Sequence, residues 1–179
     1  MDGYEQLEKS RKRITESIAQ NIHLYGLPPS AGRQYGMMFF HDKPLTLDQM
    51  SEELGMSKTS MSTSVRALSE SKLVERVWER GVRKDLYKVK DDWYQSFIDT
   101  FSIRWRKSVS QHSSAIRRSL AELEKLILDD TNSEEVIELA KQDIEKLNYI
   151  RDYYDWLDRL IDAFEDHDIF NLIPIKKDQ

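Results

Sequence analysis

Lys58, Thr59, Ser60, Ser62, Thr63 and Arg66 follow Ser57 along a stretch that holds no carboxylate until Glu70. At helical spacing Lys58, Thr59, Ser62, Thr63 and Arg66 share one face, while Met61, Val65 and Leu68, at i, i+4 and i+7, share the other. Short hydroxyls exchange hydrogen bonds at close range, and Lys58 and Arg66 attract phosphate. A helix entering the major groove of DNA needs such a face, small enough to approach base edges and free of charge that repels the backbone. Farther along, Arg80, Arg83 and Lys84 gather around Gly81. Cations at a hairpin tip reach an adjacent minor groove or its phosphates.

The surrounding residues supply elements that can hold these groups in place. Thr46 and Gln49 have capping-box spacing and open a helix with Met50 and Leu54 on one side. Gly55 interrupts the pattern where two crossing helices need a tight turn, and Ser57 can cap the second helix. Leu73–Trp78 and Val82–Val89 then resemble two strands joined around Gly81. The combination is a helix-turn-helix followed by a basic β-wing. A Ser/Thr-rich helix is often only a solvated surface helix. Here the glycine turn, the acid-free face and the basic hairpin agree with one another, which favours double-stranded DNA as partner.

Around this unit the chain is helical. Residues 4–25 carry the stripe Leu7, Ile14, Ile18, Ile22 and Tyr25, ended by Gly26 and Pro28–Pro29. Ser30 is the expected cap of a second helix from Ala31 to about Phe40. Asp92 and Gln95 open a long helix from Trp93 to about Leu128, aromatic in its first half. After the polar break at 129–133, Asn132 or Ser133 can cap a last helical region to about Phe170, broken at most once, and 171–179 should fray. The expected fold is mainly α: a winged helix-turn-helix with a small β-wing, flanked by long dimerisation helices. The divisions are 1–30 for an N-terminal dimerisation helix, 31–90 for the DNA-binding domain and 91–179 for a C-terminal helical dimerisation region. Long apolar stripes flanking a domain of ~60 residues are most economically buried against a second copy. A two-fold homodimer would place two recognition helices one DNA turn apart, ~34 Å, on a pseudo-palindromic operator.

The formal net charge of −5 is unevenly spread. Residues 31–90 hold eleven Lys/Arg against eight Asp/Glu, so the positive balance sits where DNA contact is expected and the acidic remainder opposes indiscriminate binding. With no cysteine there is no disulfide framework, thiol redox sensor or Cys-ligated zinc. His23, His41, His112 and His167 lack ligand spacing, and Asp152, Asp155, Asp158 and Asp162 alternate with Arg151 and Arg159 as a solvated face would. No phosphate-binding glycine loop or nucleophile elbow is present, so neither an enzyme nor a cofactor or metal is expected. The N-terminus MDGYEQLEKSRKR has no apolar run after its charges, and the longest apolar block, Met37–Phe40, is far short of the ~20 residues of a membrane span. A cytoplasmic protein without a membrane partner is the expectation.

Helical arms around a winged helix resemble the MarR-like winged helix superfamily of dimeric bacterial regulators. The runs ESIAQNIHLYGLPPSAGRQYGMMFF, LTLDQMSEELGMSKTSMSTSVRALSESKLVERVW, RGVRKDLYKV and YYDWLDRLIDAFE resemble the GbsR/OpcR-type transcriptional regulators across nearly the whole chain. That resemblance implies a repressor acting at osmoprotectant genes, for choline or glycine betaine uptake or synthesis, some members of the group sensing choline and others not. The stretch LPPSAG departs from a form nearer VTPSVG at the start of the second helix, a difference that bears on the floor of a ligand cavity rather than on DNA.

A choline-like ligand directs attention to the aromatic residues near the wing-to-helix junction: Tyr35, Phe39, Trp78, Trp93, Tyr94, Phe97, Phe101 and Trp105. Each well-placed, desolvated ring contributes ~0.5–2 kcal/mol toward a quaternary ammonium, and Asp91 or Asp92 could add a carboxylate. The competing assignment for these rings is hydrophobic core or dimer interface. An effector that is an uncharged aromatic compound, or a winged helix used only for protein interaction, are the alternatives. For Arg83, the competing role is an ion pair with Asp85.

Overall fold

Asp2, Thr46, Ser57 and Ser133 each precede a helix and accept a hydrogen bond from a backbone N–H of its first turn. In the computed structural model, which describes residues 2–176, the elements are α1 (Gly3–Asn21), α2 (Pro29–Phe39), α3 (Leu47–Leu54), α4 (Lys58–Glu70), β1 (Val74–Val77), β2 (Leu86–Val89), α5 (Trp93–Leu128), α6 (Glu134–Glu165) and α7 (Ile169–Leu172). By its contacts the chain divides into two compact units, Met1–Thr100 and Phe101–Gln179. No helix of the described residues is long and apolar enough to cross a membrane.

In the first unit α1 lies against α2 at unusually short range. A Cβ on Gly32 would stand 2.6 Å from Ala19 Cα, and one on Gly36 would stand 2.8 Å from Thr15 Cα, so both positions exclude a side chain. The first helix therefore packs directly on the second. Its last expected turn tightens to a 3-10 turn over Ile22–Tyr25 before Gly26. The second helix starts earlier than its apolar pattern indicates. Pro29 occupies the first helical position, where its fixed φ fits and its missing N–H is no loss, so Ser30 lies inside the helix and does not cap it.

Met50, Met61 and Leu68 are fully buried and pack with Ala31, Tyr35, Met38, Val65 and Leu73. Gln34 is enclosed among them. Its Nε2 donates to Met50 Sδ at 2.9 Å and to the Met61 carbonyl at 3.4 Å, linking α2 to both helices of the α3–α4 pair. The wing is antiparallel, with Val74 opposite Val89 and Val77 opposite Leu86. Both strands are shorter than expected, and residues 78–85 form a loop because Trp78, Arg80, Gly81, Arg83 and Lys84 are exposed and offer no inward face. Leu45 forms a single antiparallel bridge to the other edge of β2 by exchanging backbone hydrogen bonds with Tyr87, at 2.8 and 2.9 Å. Asp92 caps the long helix, accepting from Gln95 N–H at 2.9 Å, and Thr100 Oγ1 donates to the Ser71 carbonyl at 2.7 Å to hold α5 against the end of α4.

In the second unit, Val109 of α5 packs on Leu157 and Ile161 of α6, so the two helices form an antiparallel hairpin around the turn at 129–133. Ser133 is the α6 cap, while Asn132 donates to the Leu126 carbonyl instead. The acidic face of α6 is not merely solvated. Arg106 donates to Asp158 at 2.7 Å, Asp162 at 2.8 Å and Glu165 at 2.6 Å, crossing from one helix to the other. These carboxylates, Asp162 foremost, raise the Arg106 pKa further above its ordinary value. The last helical region breaks at Asp166–Asp168, with His167 at φ 62°, and Ile169–Leu172 completes a short turn. Of the stretch expected to fray, residues 177–179 lie outside the described residues.

Candidate nucleic-acid interface and ligand cavity

Thr46 and Gln49 form the reciprocal capping box, Gly55 closes α3 at φ 62°, and Ser57 caps α4 by accepting from Ser60 N–H at 3.2 Å. These local signals set the entry of α4, and its apolar side sets its rotation. Met61, Ser64, Val65 and Leu68 are buried, so Lys58, Thr59, Thr63 and Arg66 are exposed, with Ser60 and Ser62 half-buried beside them. The hydroxyls hydrogen-bond locally: Thr63 Oγ1 donates to the Thr59 carbonyl at 3.0 Å, and Ser57 and Ser60 share a bond of 2.9 Å. Such bonds leave oxygen lone pairs open to the amino groups on base edges.

In the wing, Gly81 takes φ 88°, the left-handed conformation that lets the loop reverse. Asp85 pairs with Arg76, not with Arg83. Among the described residues Arg66, Arg80 and Arg83 therefore have no carboxylate partner. Lys58 and Lys84 do have one, and it is shared: Asp48 in the first turn of α3 pairs with Lys58 of α4 and, at 2.8 Å, with Lys84 of the wing. The hydrogen bonds from Lys58 and then Lys84 hold the Asp48 carboxyl below the usual carboxylate range. Asp48 was not among the residues singled out by sequence. Its partner on the wing lies 36 residues away, beyond the reach of any local pattern.

The aromatic candidates are distributed over separate places. Tyr35 and Phe39 approach Trp93, with ring centroids at 5.9 and 5.3 Å. Phe101 and Trp105 belong to the second unit, where Phe101 meets Phe164 at 4.7 Å. Tyr94 and Phe97 are exposed on α5. Trp78 sits at the loop end of the hairpin, opposite the end that leads to Trp93, with the Arg76 guanidinium 4.2 Å from its ring centroid.

Tyr35 and Trp93 line a cavity of about 200 Å³ together with Ile18, Ile22, Leu24, Tyr25 and Leu73, and with Ser17, Asn21 and Ser96 as its polar groups. Burial, and next to it Tyr25, push the Tyr35 phenol well above its ordinary value, so it stays a neutral hydrogen-bonding group. The Ser96 hydroxyl is buried without a hydrogen-bond partner among the described residues. The cavity is smaller than the ~300–1,000 Å³ of drug-sized ligand sites, which suits a small molecule. Neither LPPSAG nor Asp91 nor Asp92 lines it. Asp92 serves as the α5 cap, and Asp91 pairs with Lys88 at 3.3 Å. Asp91, Phe39 and Trp93 instead line a more polar recess of about 310 Å³, shared with Asp42, Lys88 and Lys90.

Comparison with known proteins agrees with this geometry. Residues 93–171 match the C-terminal helical hairpin of the GbsR family of transcriptional regulators. The chain is 40% identical over 172 residues to the HTH-type transcriptional repressor OpcR of Bacillus subtilis (strain 168), covering 96% of this chain and 93% of that one. It is 35% identical over 170 residues to the HTH-type transcriptional repressor GbsR of the same organism, covering 95% and 94%. A solved transcriptional regulator, 18% identical, shares the fold with a TM-score of 0.63 over 89% of this chain and 98% of the other. All are regulators of transcription, which bears out the non-enzymatic reading of the sequence. The chain belongs to the GbsR family of transcriptional regulators.

Proposed function

We propose that this protein is a dimeric, cytoplasmic repressor that binds a pseudo-palindromic operator at genes for choline or glycine betaine uptake or synthesis. The observation that carries the DNA-reading role is the pairing of an acid-free α4 face with a wing whose Arg80 and Arg83 have no carboxylate partner among the described residues. Ser57, Lys58, Thr59, Ser60, Ser62, Thr63 and Arg66 enter the major groove, Thr59, Ser62 and Thr63 at base edges. Arg80, Arg83 and Lys84 reach the adjacent minor groove or its phosphates. Kinship with two proteins named as repressors supports the sign of regulation. Occupying promoter DNA would exclude polymerase.

Dimerisation is supported by apolar side chains that α6 leaves outside its hairpin: Tyr149, Tyr153 and Trp156, at i, i+4 and i+7, are all exposed. Relief of repression by a small ligand is supported by the cavity beside Trp93. Its walls admit either class of effector. A quaternary ammonium would find the rings Tyr25, Tyr35 and Trp93 but no carboxylate among the lining residues, so an uncharged or aromatic effector fits this cavity equally well. A choline-like cation in the recess of Phe39, Asp91 and Trp93 would compete with Lys88 for Asp91.

Fluorescence anisotropy with duplex DNA from the gene's own upstream region, over a salt series, tests the proposal. Tight, sequence-dependent binding that choline weakens supports a choline-responsive repressor. Sequence-dependent binding relieved only by uncharged aromatic compounds moves the effector to the second reading. If affinity for duplex DNA does not change with salt or with neutralising Lys58, Arg66 and Arg83, the winged helix is a protein-interaction module.

A further inference from the structure

Among the described residues, Asp48 is the one carboxylate that touches both halves of the basic surface. It stands in the first turn of α3, where a negative charge also favours the helix dipole, and its two oxygens take Lys58 at the start of α4 and Lys84 of the wing loop. All three side chains are exposed, and exposed ion pairs contribute little to stability, so folding alone gives little reason for the arrangement. Its geometric effect is larger. The loop of residues 78–85 lies outside the strand ladder, and Lys84–Asp48 joins it to the helix pair from 36 residues away. Its electrostatic effect is also definite, because one carboxylate offsets one of two ammonium groups that would otherwise both face phosphate.

We propose that Asp48 is a positioning and specificity residue of the DNA-reading surface: it clamps the wing to the helix-turn-helix and restrains Lys58 and Lys84 from indiscriminate phosphate binding. The proposal rests on the DNA-reading role argued above. Random duplex DNA offers this surface phosphates but no matched set of base edges, and the carboxylate competes with those phosphates for both lysines. An operator also offers base edges to Thr59, Ser62 and Thr63, and those contacts depend on the α4 and wing positions that the clamp fixes.

The test is anisotropy over a salt series on two probes, a duplex selected in vitro by the wild-type protein and a random duplex of the same length. Asp48→Asn should raise random-duplex affinity about five- to tenfold at ~0.1 M salt and steepen its salt slope by about one unit, as one added phosphate contact would. Affinity for the selected duplex should rise less, so the ratio of specific to non-specific binding falls. Asp48→Glu, which keeps the charge, should lie near wild type. Asp48→Asn combined with Lys84→Gln restores the net charge, so random-duplex affinity should return toward wild type while the ratio stays low because the clamp is still broken. An unchanged ratio and slope in Asp48→Asn overturns the proposal, and so does an equal rise on both duplexes. A full recovery of the ratio in the double variant also overturns it, reducing Asp48 to a plain surface charge. If wild-type protein selects no sequence at all, the DNA-reading role itself fails, an outcome distinct from these.

Discussion

Asp85 is taken by Arg76, which leaves Arg83 exposed on the wing without a carboxylate among the described residues. Arg83→Ala should therefore weaken binding to all duplexes alike and lower the salt slope by about one unit, if one phosphate contact is lost. A changed sequence preference at constant slope would instead assign Arg83 to the minor groove. Ser96 makes the opposite kind of prediction. Its hydroxyl is buried with no partner among the described residues, so Ser96→Ala should leave thermal stability unchanged or raise it by about 1 kcal/mol in denaturant melts. If that hydroxyl serves an effector in the cavity, the same variant loses effector response while keeping DNA affinity. Asp48 adds a pH dependence. Its lowered pKa means that the pairing with Lys58 and Lys84 is fully present above the ordinary carboxylate range and is lost as pH falls through the lowered folded value. Carboxyl-carbon NMR should find Asp48 titrating below the usual range in the wild type. With both lysines replaced by Met, it should titrate in the ordinary range.

At the scale of elements, sequence signals and structure agree where the cause is local. The Thr46–Gln49 capping box, the Gly55 turn and the Ser57 cap depend on residues within a few positions of one another. Thr46→Ala should cost about 1 kcal/mol of stability, and with it the setting of α3 beneath α4. The α1–α2 contact is of another kind. Gly32 and Gly36, four residues apart, share one face of α2 and mark it for close approach, but nothing near them names α1 as the partner; each lies so close to the α1 backbone that Ala cannot be accommodated without separating the helices. Gly32→Ala or Gly36→Ala should cost about 1–3 kcal/mol, read as a lower midpoint in urea with little change in its slope. A silent Gly32→Ala would mean that α1 is loosely held.

At the scale of the whole molecule, the proposed dimer makes stability depend on concentration. Melting temperature should rise with protein concentration, as it does for any state whose folded form is bound to a partner. Trp156→Glu combined with Tyr153→Glu places charge on the exposed α6 stripe without touching Leu157 or Ile161 of the hairpin core. Sedimentation should then report half the mass, and operator affinity should fall because only one recognition helix is engaged. An unchanged mass would move the interface away from this stripe.

The caps at Thr46, Ser57, Asp92 and Ser133, the glycine turn, the apolar period of α4 and the long spans of α5 and α6 were legible in the sequence, because each arises from interactions within a turn or two of helix. The acid-free face and its rotation were legible for the same reason, since burial of Met61, Val65 and Leu68 turns Lys58, Thr59, Thr63 and Arg66 outward. Periodicity does not say which distant groups meet. Only the tertiary structure decided that Asp85 faces Arg76, that Asp48 faces two lysines, and that Arg106 gathers three carboxylates from α6. It also placed Trp78 at the loop end of the wing and Phe101 against Phe164, while bringing Tyr25 and Ser96 to the cavity beside Trp93. Ion pairs and cavities form between chain segments tens of residues apart. Their membership is set by how helices and hairpin pack, which no local pattern records.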